Sequence, residues 1–231
     1  DCGLTTAELA SSDATRSKMC SALFNLSTVQ DQSTAWLTSI SSSMSSVYNP
    51  FHVSSTTGLL LCFDAMKEIS AMSNAGFAVT ANLQGVADVI SSFITGIKVL
   101  YVTGDASDSS LVAIRSFVAD SVTAMLDGLY INGISPGQAP IDIVSGSLSI
   151  RAFFDTRESF QGTNSVLQAP ETAIETLLGV VQPEVRLSPD VGMGSCQTED
   201  GYVQVSIVKF AFSPFTNTLS LISPLVFLYT G

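Results

Sequence analysis

A change of hydrophobic period near residue 135 most limits the possible folds of this chain. The segment Gly133–Pro140 holds two Gly and two Pro residues. Before it, apolar residues recur at spacings of three and four, as on one buried helix face. After it, they tend to alternate, as in strands. Helices followed by strands predict an α+β fold. The 231 residues therefore read as an N-terminal antiparallel helical subdomain over 1–135 and a mainly β, sandwich-like subdomain over 136–231.

The helical half divides at its breakers. Trp36, Leu37, Ile40, Met44 and Val47 form one apolar face, and Asn49-Pro50 ends it. Leu59, Leu60, Phe63, Met66, Ile69 and Met72 form a second, closed by Asn74-Ala75-Gly76. Leu83, Val86, Val89, Ile90, Phe93, Ile94, Ile97 and Leu100 make the cleanest amphipathic pattern. Leu111, Ile114, Phe117, Val118, Val122, Met125 and Leu126 make a fourth, preceded by Asp108-Ser109-Ser110 as N-cap candidates. Short Gly- or Pro-containing connections imply antiparallel neighbours.

Strands are expected at Ile141, Ile143, Leu148 and Ile150. A longer one runs from Tyr202 to Phe210, with Gln204, Ser206 and Lys209 as its polar positions. Leu219, Leu221, Leu225, Phe227 and Tyr229 follow. Between them, Pro170-Glu171-Thr172 with Ile174, Leu177 and Leu178 reads as one short helix with Pro in its first turn. No internal repeat is visible.

Charge excludes two classes of partner. Nine Lys and Arg face twenty Asp and Glu, for a net charge of −11. No two basic residues are adjacent, which argues against a phosphate-tracking stripe or docking on anionic lipid. The acidic excess is spread over both halves, five basic against eleven acidic residues and then four against nine, so it marks no site. No apolar run approaches the ~18 residues of a membrane-spanning helix; Ile94–Val102 is interrupted by Lys98, and Pro224–Tyr229 is shorter still.

The first fifty residues hold 12 Ser and 6 Thr. Hydroxyls and glycans in place of charge suit a secreted surface, and Asn25-Leu26-Ser27 is a glycosylation acceptor pattern. Cys2, Cys20, Cys62 and Cys196 contain no CxxC pair, and His52 is the only His, so a zinc site lacks ligands. An even cysteine count in such a chain predicts two disulfides. Of the three connectivities, Cys2–Cys20 (a short loop) and Cys62–Cys196 (a long-range staple) are expected; four buried thiols are the competing reading. Asp1-Cys2-Gly3 reads as a mature terminus or an excised start, and the apolar run at Leu225–Tyr229 as a strand whose parent chain continues.

Few residues suggest chemistry. His52 lies in a helix connection, without a G-x-S-x-G or papain-type context, and reads as a packing residue. Asp105-Ala106-Ser107-Asp108-Ser109 spells D-x-S-x-S, which resembles the cation motif of von Willebrand A-type domains. Oxygens of Asp105, Ser107 and Ser109 would suit Ca²⁺ or Mg²⁺, with Ile97–Val102 as the preceding strand. The later Thr and Asp-Gly elements of such domains are missing, and a polar connection capping the next helix is the rival reading. Glu171/Glu175 reads as a solvated helix face and Glu199-Asp200-Gly201 as a hairpin turn, rather than as acid–base pairs. Gly192-Met193-Gly194-Ser195 is too short for a phosphate loop. No enzymatic activity is expected, and no cofactor apart from that one cation alternative.

The order of these elements resembles the REJ/GAIN-type stalk modules of polycystin-like and adhesion-type surface proteins, including algal flagellar ones. The resemblance lies in the helix pair Gly58–Gly76 and Asn82–Tyr101 and the helix Ser109–Leu129. It continues in the step Val166-Leu167-Gln168-Ala169-Pro170, the strand Tyr202–Pro214 and the run Pro224–Tyr229, and so covers about residues 55–231. It implies an extracellular structural or adhesive module of a cell-surface, ciliary or mastigoneme-associated protein, bound to other extracellular domains or to copies of itself. Autoproteolytic members carry a His-Leu-Ser/Thr scission site. Here His52-Val53-Ser54 falls in the other half and Trp36 is distant, so self-cleavage is not implied.

Overall fold

The computed structural model describes residues 6–27, 33–47, 62, 64–65, 80–103, 108–156, 166–179, 184–186, 201–211 and 225–230. The fold is α+β. Among the described residues, long helices come first: α1 (Thr6–Ser27), α2 (Thr34–Val47), α3 (Thr80–Thr103) and α4 (Asp108–Asn132). Strands β1 (Ile141–Val144) and β2 (Leu148–Thr156) follow, then β3 (Val166–Leu167), the short helix α5 (Ala173–Leu178), β4 (Val185–Arg186), β5 (Tyr202–Phe210) and β6 (Leu225–Thr230). One antiparallel sheet has the order β1-β2-β5-β6, and β3 pairs with β4 in a second, two-residue sheet.

Helices α2, α3 and α4 coincide with three of the expected apolar stripes. The residues of the second stripe, Leu59 to Met72, lie outside the described residues; between them Cys62, Asp64 and Ala65 are described and helical. Helix α4 begins at Asp108 itself, so Asp108 and Ser109 stand inside it instead of before it. Helix α1 has no clean apolar stripe, with Met19 and Leu26 half exposed. Its hydroxyls bond to its own carbonyls one turn back, as from Thr15 to Ser11 (2.9 Å) and from Ser21 to Ser17 (2.9 Å). Such local bonds let Ser and Thr sit within a helix.

The boundary segment is a built turn. Gly133 and Ile134 N–H both donate to Leu129 O, at 2.8 and 2.9 Å, closing α4. Gln138 N–H then donates to Ser135 O at 3.1 Å. Pro136 and Gly137 occupy the centre of this turn, and Gly137 has φ +83°, the conformation that a type II turn demands at that position.

Apolar residues from both sides of the turn join one core. Leu83, Val86, Val89, Ile90, Phe93 and Ile94 of α3 meet Ile143, Leu148, Ile150, Val208 and Phe210 of the sheet. Phe93 and Phe117 pack edge to face at 5.8 Å between α3 and α4. Three polar joints cross the layers. Gln84 Nε2 donates to Val144 O (2.8 Å). Ser147 N–H donates to Ser91 Oγ (2.7 Å), and Ser147 Oγ donates to Ser91 O (2.8 Å). Tyr130 OH pairs with Ser206 Oγ, and burial pushes the Tyr130 phenol up to about 12.

Cys20 and Cys62 form a disulfide, with Cα atoms 4.8 Å apart. This corrects the expected pairings Cys2–Cys20 and Cys62–Cys196. Helix packing turns both Cys20 and Cys62 into the core and brings them within bridging distance, and each sulfur takes one partner. Cys2 and Cys196 lie outside the described residues.

Candidate functional site

At its two central strands, β2 and β5, the sheet is covered on both faces. Its helix-facing side carries Ile150, Val208 and Phe210. Its other side carries Val203, Val205 and Ile207, packed with Leu167, Ala169 and Phe153. Two of the three polar positions of β5, Ser206 and Lys209, are therefore fully buried. The segment from β3 through α5 supplies the outer cover, and the unusual chemistry of the protein lies beneath it.

Thr172 caps α5. Its side chain accepts from Glu175 N–H at 3.2 Å, and its own N–H donates to Glu175 Oε2 at 2.8 Å. This is a capping box. Pro170 thus stands two residues ahead of the cap, not in the first helical turn as expected. Gly179 ends the helix at φ +60°, and its N–H satisfies trailing carbonyls.

Glu175 does more than cap. Its Oε2 also accepts from Thr172 Oγ1 at 2.9 Å and pairs with Lys209 Nζ at 2.9 Å. The two charged side chains are 1% and 3% exposed, Lys209 and Glu175 respectively. Glu175 Oε1 has no hydrogen-bond partner. Ser149, directly opposite Lys209 in the β2–β5 register, is also buried with an unpartnered Oγ. An amine, a carboxylate and a hydroxyl thus converge between sheet and α5, shut away from solvent. Glu171 is exposed and Glu175 buried, so the expected solvated face formed by this pair is corrected.

Beside this cluster, Arg151 grips Asp142 with two bonds of 2.7 Å and donates to Gln168 O at 3.0 Å. The hydrogen bonds to Asp142 hold the Arg151 guanidinium above its ordinary value. This partly exposed clamp ties the outer cover to β1 and β2, and such pairs contribute at most about 1 kcal/mol.

A second feature is an open groove of about 540 Å³ between α1 and α2, lined by Glu8, Ser12, Arg16, Met19 and Ser46 among others. Arg16 donates to Ser12 Oγ at 3.0 Å within it. Its lining mixes hydroxyls and the charged Glu8 and Arg16 with the apolar Met19 and Val47.

Of the expected site residues, Asp105 and Ser107 lie outside the described residues, as does His52. Ser109 sits in the first turn of α4. Ile97–Val102, required as a strand by the cation motif, belong to helix α3, which corrects that part of the reading. Asn25 is exposed in the last turn of α1. Trp36 packs half buried against the core. Glu199 and Asp200 are outside the described residues. The buried Lys209–Glu175 pair was missed, although Thr172-Ala173-Ile174-Glu175 spells the capping box that buries the carboxylate.

No protein-family model, no curated protein and no solved structure matches the chain.

Proposed function

We propose that this protein is an extracellular structural and adhesive module of a cell-surface or flagellar protein. It acts as a GAIN-like stalk element, holding neighbouring extracellular domains or copies of itself together without catalysis. The Cys20–Cys62 bridge carries this reading: it spans 42 residues and locks the hydroxyl-rich helix α1 to the core. Structural disulfides persist in oxidising compartments. Exposed Asn25, the acceptor of the glycosylation pattern, supports the same compartment. So does a chain in which only 13% of residues are charged, against about 25% in ordinary domains. Among the described residues β6 pairs only with β5, an arrangement suited to strand addition by a continuing chain or a partner.

Surface labelling of source cells with a membrane-impermeant reagent, followed by non-reducing peptide mapping, tests the proposal. The expected result is labelled protein with Cys20 joined to Cys62 and a glycan on Asn25. Cross-linking on the same cells is expected to join the protein to another extracellular domain or to itself. Unlabelled protein with free Cys20 and Cys62 thiols overturns the reading.

A further inference from the structure

We propose that Lys209 and Glu175 are a modification site at which an intramolecular amide cross-links β5 to α5. Lys209 Nζ stands 2.9 Å from Glu175 Oε2, with both side chains almost fully enclosed. Intramolecular reactants held in an aligned near-attack geometry reach effective concentrations of about 10⁵–10⁸ M. Enclosure also keeps out the bulk water that would reverse the reaction.

The two carboxylate oxygens are treated differently. Oε2 receives Thr172 N–H, Thr172 Oγ1–H and Lys209 Nζ, at 2.8, 2.9 and 2.9 Å. Oε1 receives nothing. Addition of the amine to Cδ would place negative charge on Oε2, where the two Thr172 donors already point; preorganised donors of this kind stabilise such an oxyanion. Oε1 is then the oxygen free to leave.

The step balances without a further reagent. One proton passes from the Lys209 ammonium to Oε1 of Glu175 by way of the Ser149 hydroxyl, which then carries the second proton as well, giving first a neutral amine and a carboxylic acid protonated on Oε1. The amine lone pair attacks Cδ and forms the C–N bond. A second proton moves from nitrogen to Oε1, the Cδ–Oε1 bond breaks, and Oε1 departs as water with both protons. Nothing is oxidised or reduced. Ser149, the cross-strand neighbour of Lys209, has a buried hydroxyl without a partner and is placed to relay both protons. The product is neutral, so the cost of keeping two ions away from water disappears.

Tryptic mapping of the reduced, alkylated full chain tests the proposal directly. Unlinked protein cut after Arg157, Arg186 and Lys209 yields the separate peptides 158–186, 187–209 and 210–231. The expected result is instead one branched species joining 158–186 to 187–231, lighter than the sum of its parts by one water. Lys209 in an amide is not a trypsin site, so peptide 187–209 should be absent. The variant Glu175→Ala is expected to restore the three separate peptides. Ser149→Ala keeps both amide partners and is expected to leave a larger unlinked fraction. Recovery of the three peptides at full yield from the parent protein overturns the cross-link; an unchanged fraction in Ser149→Ala overturns the relay.

Discussion

The joint between α3 and the β1–β2 turn rests on one hydroxyl. Ser91 Oγ accepts from Ser147 N–H at 2.7 Å, and both residues are buried. Ser91→Ala leaves that N–H without a partner, while Ser147 Oγ keeps Ser91 O at 2.8 Å. An orphaned buried donor costs about 1–3 kcal/mol. Ala gains roughly 0.5 kcal/mol over Ser as a mid-helix residue. The expected net loss is about 1.5 kcal/mol, or a melting point lower by roughly 3–6 °C in a chain of this size. Ser147→Ala is the informative control. Ser91 Oγ still receives the Ser147 N–H, and Ser91 O still receives Thr95 Oγ1 at 3.0 Å. Only the Ser91 Oγ–H loses its partner, Ser147 Oγ at 2.9 Å, and a hydroxyl can rotate toward another acceptor where a backbone N–H cannot, so the loss is expected near about 0.5 kcal/mol, the low end for one hydrogen bond. Urea unfolding followed by far-UV circular dichroism and by Trp36 fluorescence measures both variants, and coincident transitions validate the comparison. A Ser91→Ala loss equal to or smaller than that of Ser147→Ala refutes the orphaned-donor argument.

Removing the disulfide through Cys20→Ala/Cys62→Ala is expected to destabilise the protein by about 4 kcal/mol, from the chain entropy of its 42-residue separation. A urea midpoint equal to the parent's overturns this. Tyr130 makes an alkaline prediction. Its pKa rises from 10.0 to about 12 on folding, so the folded state holds that proton more tightly. The associated stability is fully present below pH 10 and is lost as pH climbs to about 12. Tyr130→Phe should flatten that part of the urea-midpoint profile, and an unchanged slope refutes the assignment.

The helix-to-strand order was legible because each signal is local. In α3 the apolar spacing survives packing, since the same stripe meets both α2 and the sheet. The Gly133–Pro140 turn was legible because Pro136 and Gly137 each impose a backbone angle. Helix α1 was legible only as part of a broadly helical half, because its hydroxyls bond within the helix and leave no apolar stripe to read. The cysteine pairing was not legible either. It depends on which helix positions turn inward together, and Cys20 and Cys62 meet only once their segments pack.

Lys209 shows where local reading fails. In β5 it sits at a position that looks solvent-facing, between Val208 and Phe210. What decides its environment is a six-residue helix more than thirty positions earlier, laid on the opposite face from the bundle. That cover makes the sheet two-sided, and a lysine under it must find a carboxylate, because an unpaired buried charge costs more than the fold can bear. Glu175 fills that role only because the Thr172 cap turns its side chain back toward its own helix start. The pair is therefore a product of tertiary placement. Its three donors on one oxygen and bare second oxygen follow from one carboxylate serving two structures at once, a helix cap and a buried counter-ion.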